Sequence, residues 1–195
     1  RSKRKYECLN CIQPPPMTEK VVGNHPEIFS ALDENHNEAY LMHGTDLNSA
    51  FSIAHEQFQI GVTGVTSGSM YGRGVYFAES STKADEHSRD EETGPFKGAF
   101  AMLICRVFMG QVYHTTDRDS HAELQIRNGL HDSTLGDRLA SAGTFREFVV
   151  YSAGQVHPEY LVIYHRVHIK DDPSSIEDRL HVAKHLHLPI VDQLP

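Results

Sequence analysis

Runs of strand-forming residues crowd the second half of this chain, and their spacing limits the folds open to it. Residues 99–109 and 111–113 read as strands broken by Gly110, and 145–151 and 160–168 as strands parted by a turn around Gly154. Shorter buried strands are expected at 39–42 and 75–78. Helices are fewer. Asp46 can cap one over 47–57, where Leu47, Ala50, Phe51 and Ala54 recur at helical spacing, and Ser80-Ser81-Thr82 can cap another beginning near Lys83. A third is expected at 26–32, with Pro26 pre-set for its first turn. Strands that outnumber helices and lie close in sequence predict an α+β domain with a mostly antiparallel β-sheet core and flanking helices.

The remainder reads as connection. Residues 1–38 are otherwise irregular, with Pro14-Pro15-Pro16 as a stiff break. Residues 59–74 are a Gly-rich loop, 87–95 a polar loop, and 115–143 a stretch without sustained period, a length that is usually functional inside a compact domain. Residues 171–195 open polar, with a short helix expected over 176–186. We divide the chain into a linker (1–18), a catalytic domain (19–169) and a tail (170–195).

At 195 residues the chain suits one globular domain, and because it begins with Arg1 we expect an excised piece of something larger. A net charge of −8 argues against nucleic-acid binding through its own surface, despite the basic cluster Arg1, Lys3, Arg4 and Lys5. No apolar run approaches membrane-spanning length, and no secretory leader is visible. Cys8, Cys11 and Cys105 cannot form a disulfide framework, so an intracellular setting, nuclear or cytoplasmic, is expected. Cys8-x-x-Cys11 has zinc-ligand spacing and His181 with His185 could share a helix face, but a second close ligand pair is missing and no metal is expected.

Three stretches put a functional side chain inside or beside an apolar run: His43 in Tyr40-Leu41-Met42-His43-Gly44-Thr45, Tyr76 in Gly72-Arg73-Gly74-Val75-Tyr76-Phe77-Ala78, and Glu147 in Phe145-Arg146-Glu147-Phe148-Val149-Val150-Tyr151. Burying such groups costs about 1–3 kcal/mol even when neutral, unless something satisfies them. Taken singly, His43 reads more readily as a core histidine, and Tyr76 as a packed sheet tyrosine. By strand alternation Glu147 shares a face with Phe145, Val149 and Tyr151, and a salt bridge to Arg106 or Arg146 would explain it. A shared ligand explains all three.

In order and with their flanking residues, these stretches resemble the His–Tyr–Glu signature of poly(ADP-ribose) polymerase catalytic domains, on the tankyrase-like side. The resemblance covers residues 40–166 and continues through Met102-Leu103-Ile104-Cys105-Arg106-Val107-Phe108-Met109-Gly110 and Pro158-Glu159-Tyr160-Leu161-Val162-Ile163-Tyr164. It implies the split-sheet ADP-ribosyltransferase fold, NAD as co-substrate, protein acceptors with the chain itself among them, and transfer of ADP-ribose with loss of nicotinamide. His43 would hold a ribose hydroxyl of NAD, Gly44 would clasp the carboxamide through its backbone, Thr45 would lie near the adenine-side ribose, and Tyr76 would stack on the nicotinamide. Glu147 would bind the 2′-hydroxyl of the nicotinamide ribose and orient the acceptor. Tyr71, Phe77, Thr82 and Lys83 fall among the implied cofactor-binding positions. Two departures stand beside them. Ala84 follows Lys83 where the family often has serine, and His87 takes the place of a tyrosine that walls the nicotinamide slot. Thr82 could replace the missing hydroxyl.

Overall fold

The computed structural model describes residues 15–60 and 70–166. The basic cluster, Cys8 and Cys11, residues 61–69 of the Gly-rich loop, and the expected helix over 176–186 lie outside the described residues.

Two sheets carry the fold. The first is ordered β1-β3-β7, from β1 (Glu38–Thr45), β3 (Ala99–Phe108) and β7 (Val156–His165). β1 and β3 run antiparallel, with Leu41 opposite Cys105 and His43 opposite Leu103. The second is ordered β2-β6-β5-β4, from β2 (Val75–Phe77), β6 (Glu147–Val150), β5 (Ser133–Gly136) and β4 (Val112–Thr115). Strand β6 is antiparallel to both β2 and β5, whereas β4 and β5 are parallel. The sheets touch where Met42 and Ala78 exchange backbone hydrogen bonds of 2.8 and 2.9 Å. A common core fills the space they share, with Leu41, Leu103, Cys105 and Val107 from one sheet meeting Phe77, Leu135, Phe148 and Val150 from the other. Each such buried side chain contributes about 1.5–3 kcal/mol.

The helices follow local chemistry. α1 spans Met17–Asn24, α2 Leu47–Glu56, α3 Ser81–Asp85, α4 Glu123–Arg127 and α5 Arg138–Ala142. Asp46 caps α2 by accepting from the Ser49 amide at 2.8 Å. The inward stripe of α2 is Leu47 and Ala50, with Ile53 packed beside the core. Phe51 and Ala54, expected on that stripe, are exposed, and Phe51 meets the ring of Phe96 instead.

Two expectations are corrected. No helix forms over residues 26–32. The amides of Ile28 and Phe29 both reach the His25 carbonyl, but the Ser30 amide donates to the Tyr40 hydroxyl at 3.2 Å and the turn stops there. Phe29 then packs on Tyr40 and Tyr160, with ring centroids 4.9 and 5.8 Å away. The second correction concerns residues 115–143, which hold α4, α5 and the interior strand β5. Ser133-Thr134-Leu135-Gly136 shows no apolar alternation, because its polar side chains are satisfied internally. Ser133 donates to the Met109 carbonyl, and the Thr134 and Tyr151 hydroxyls lie 2.9 Å apart.

Candidate active site

The seam between the sheets gathers the three sequence stretches. His43, on β1, lies between the rings of Phe58 and Phe77, at 5.1 and 5.6 Å between centroids. Its Nδ1 is 2.9 Å from the backbone carbonyl oxygen of Tyr76. A carbonyl only accepts, so Nδ1 carries the proton and Nε2 keeps its lone pair. Burial holds the imidazole below its ordinary pKa, against the opposing pull of that carbonyl, and the nearby His87 adds to the lowering.

This arrangement predicts a pH effect with a definite sign. The unfolded chain takes up a proton at the His43 position near pH 6.5, before the folded one does, so the contribution of a neutral His43 to stability is complete above that pH and is lost as pH falls through the depressed folded value. Unfolding free energies from urea titrations at pH 7.5 to 5 should fall more steeply in the unaltered chain than in His43→Gln, by up to about 1.4 kcal/mol per pH unit. Equal slopes would contradict it.

Gly44 comes next on β1 and tolerates no side chain. A β-carbon there would lie 1.8 Å from the Ala84 carbonyl oxygen and 2.8 Å from Ser88 Oγ, so the absence of one lets α3 press against the strand. Ala84 itself is buried in a small apolar cluster with Ala78 and Met102, apart from the main core. Thr82 and His87, by contrast, are exposed on and after α3, and Thr45 is half-buried at the end of β1. Phe77 belongs to the main core.

Tyr76 and Glu147 share a face of the second sheet. Tyr76 is opposite Val149, and Glu147 lies two residues before Val149, a diagonal separation of roughly 7–8 Å between α-carbons. The Tyr76 hydroxyl donates to the Gly72 carbonyl and accepts from the Tyr71 amide, both at 2.9 Å, which fixes the ring. Tyr71 is fully buried, so its side chain presents no surface to a ligand in this structure and supports the site from behind.

The alternation expected for β6 is present: Val149 packs with the tyrosines, and Phe148 and Val150 enter the main core. Neither arginine considered as a partner for Glu147 takes that part. Arg106 pairs with Glu159 at 3.1 Å, and Arg146 with Glu79. The cation facing Glu147 is Lys83, whose Nζ is 3.7 Å from Oε1 of Glu147 and 2.7 Å from Glu86. Both side chains keep some solvent contact, at 18% for Lys83 and 14% for Glu147.

Sequence reasoning missed the pair beneath this site. Arg146 forms two 2.6 Å hydrogen bonds to Glu79, and both side chains are buried. Glu79 also accepts from the Met17 amide at 2.7 Å, and Arg146 donates to the Pro15 carbonyl at 3.0 Å. Glu79 follows β2 and Arg146 precedes β6, so the signal was two opposite charges flanking paired strands. Among the described residues no group of three or more His, Cys, Asp or Glu side chains could hold a metal. No helix there is long and apolar enough to cross a membrane.

Two sheets whose seam holds a neutral histidine, a fixed tyrosine and a carboxylate make an α+β domain with its candidate site at that seam. A family model of the poly(ADP-ribose) polymerase catalytic domain matches residues 22–140, and the chain belongs to that family. The match ends before Glu147. Among relatives, mouse protein mono-ADP-ribosyltransferase PARP12 is 28% identical over 127 residues, covering 65% of this chain and 17% of its own length. The Caenorhabditis elegans poly [ADP-ribose] polymerase tankyrase is 24% identical over 175 residues, 71% of this chain and 7% of its own. Mouse protein mono-ADP-ribosyltransferase PARP11 is 25% identical over 148 residues, 66% of this chain and 43% of its own. The chain therefore spans less than half the length of these relatives.

Proposed function

We propose that this chain is an NAD-dependent protein ADP-ribosyltransferase that moves ADP-ribose from NAD to protein side chains, its own among them, and releases nicotinamide inside the cell. The observation that carries the reading is the convergence of His43, Tyr76 and Glu147 on one seam, with His43 bonded to the Tyr76 backbone and Glu147 on the Tyr76 face. Residues 19–169 make up the catalytic unit in this reading.

The chemistry follows from what each group can do. The glycosidic bond between ribose C1′ and the nicotinamide nitrogen breaks, and nicotinamide leaves with the electron pair. An acceptor oxygen or nitrogen then bonds to C1′ and gives up its proton. Nε2 of His43 accepts from a ribose hydroxyl, and the Gly44 backbone holds the carboxamide. Tyr76 and His87 supply rings beside the nicotinamide, with Thr45 and Thr82 offering hydroxyls. Glu147 accepts from the ribose 2′-hydroxyl, and its charge opposes the positive charge that builds on the sugar. Such preorganised charge is commonly the largest single contribution to a rate. Lys83, 3.7 Å away, faces that carboxylate and orients it. None of these steps uses a metal.

Incubation with NAD labelled in its adenylate half tests this. Label on protein together with free nicotinamide supports it; neither product refutes it. A second reading, a silent domain that binds NAD or ADP-ribose, or a protein partner, draws on Ala84, whose methyl group is packed in a small apolar cluster and offers no hydroxyl to a carboxamide, and on His87 in the tyrosine's place. Calorimetry with NAD separates the two, since heat of binding without turnover favours the silent domain.

A further inference from the structure

The Tyr71 hydroxyl is buried and has no hydrogen-bond partner among the described residues. Leaving a buried donor unsatisfied is costly, so a group kept in this state needs a reason. Its place in the sheet supplies one. Gly136 on β5 is directly opposite Glu147 on β6. In such a pair the two side chains emerge on the same face, with β-carbons about 4.5–5.5 Å apart. Gly136 has no side chain, and the end of the Tyr71 phenol fills that space. A β-carbon built on Gly136 would lie 2.1 Å from the ring and 2.4 Å from the hydroxyl oxygen. Tyr71 thus reaches, from a neighbouring loop, the position where the cross-strand partner of Glu147 would stand. Burial raises the phenol pKa, and the Glu147 charge raises it further, so the hydroxyl keeps its proton and can only be a donor toward a carboxylate.

Resting on the transferase reading above, we propose that Tyr71 is a positioning residue whose hydroxyl donates a hydrogen bond to the Glu147 carboxylate, reached by rotation of the Glu147 side chain. Lys83 and Tyr71 would then hold Glu147 from two sides, leaving one lone pair aimed at the ribose hydroxyl. The other charged groups near the Tyr71 hydroxyl are Arg138, Asp137 and Asp117; none stands across a strand pair from Gly136, which the Tyr71 ring fills, as Glu147 does.

Tyr71→Phe deletes one oxygen and leaves the ring on Gly136. Loss of that one hydrogen bond should lower the melting temperature by a few degrees at most, leaving the chain folded at the assay temperature. The kcat for nicotinamide release should fall about tenfold, with KM for NAD within about twofold, as expected when one hydrogen bond to a charged group is lost. A readout independent of turnover is the Glu147 carboxyl pKa in the ligand-free chain, followed by carbon-13 NMR of labelled glutamate and assigned with Glu147→Gln. It should rise by about half a unit or more in Tyr71→Phe, since a donor to the charged form has gone. An unchanged Glu147 pKa overturns the proposal, and so does a fraction of unfolded chain at the assay temperature large enough to account for the loss of kcat. If the unaltered chain turns over no NAD but the pKa shift appears, the transferase reading fails and the hydrogen bond stands.

Discussion

Glu147→Gln should fold as the unaltered chain does and lose NAD turnover by about 10²–10³ in kcat. Glutamine keeps the size of the side chain and its place at the start of β6, and Lys83 keeps its 2.7 Å contact with Glu86. What disappears is the negative charge. A neutral amide still accepts a hydrogen bond from a ribose hydroxyl, so KM for NAD should move less than kcat. Nicotinamide release under saturating NAD, measured beside a melting curve, checks both halves. Turnover equal to that of the unaltered chain would remove Glu147 from the mechanism. With Glu147→Ala, gel analysis of the labelled products should separate two roles of the residue. Lost elongation with residual single transfer is expected if the carboxylate orients an incoming ADP-ribose, a step for which the relatives bearing mono- and poly-transferase names give differing precedents.

Arg146→Ala should have the largest effect on stability. It leaves the Glu79 carboxylate buried without its cation, and breaking a buried pair from one side costs about 3–5 kcal/mol. For a chain of this size that is a fall in melting temperature of roughly 10 °C or more. Replacing both partners, Arg146→Met with Glu79→Leu, should recover much of the loss, because apolar groups of similar volume carry no desolvation cost. Thermal unfolding of the single and double variants provides the measurement. A double variant no better than the single would show that the hydrogen bonds to Pro15 and Met17 matter more than the pair itself.

The fold was legible where apolar residues recur over a length that one element can use. Residues 99–109, all strand in the expectation, form β3 as Ala99–Phe108, and Asp46 starts α2 where a cap residue precedes helical spacing. It was illegible where tertiary contacts decide. Ser133-Thr134-Leu135-Gly136 is an interior strand because Met109 and Tyr151 satisfy its hydroxyls, which no local pattern reveals. α1 buries no residue at all and so has no inward stripe to detect. At the site, His43, Tyr76 and Glu147 stood out because each is polar among apolar neighbours. Tyr71 did so less clearly: the sequence reading set it against the ligand, and only the register of Gly136 with Glu147 shows what its ring leans on.

The reciprocal bridge between Met42 and Ala78 bears on evolution as well as on shape. Strand β2 has three residues, and its alternation sends Phe77 to the main core and Tyr76 to the opposite face, beside Val149. What keeps that assignment is an even-or-odd count from the bridge, because a slip of one residue turns every side chain to the opposite face. A single inserted or deleted codon between Val75 and Ala78 would exchange the two rings while leaving composition almost untouched. Substitutions in this stretch can be tested one at a time by selection, but changes in its length cannot, and the site is inherited as a spacing as much as a set of residues.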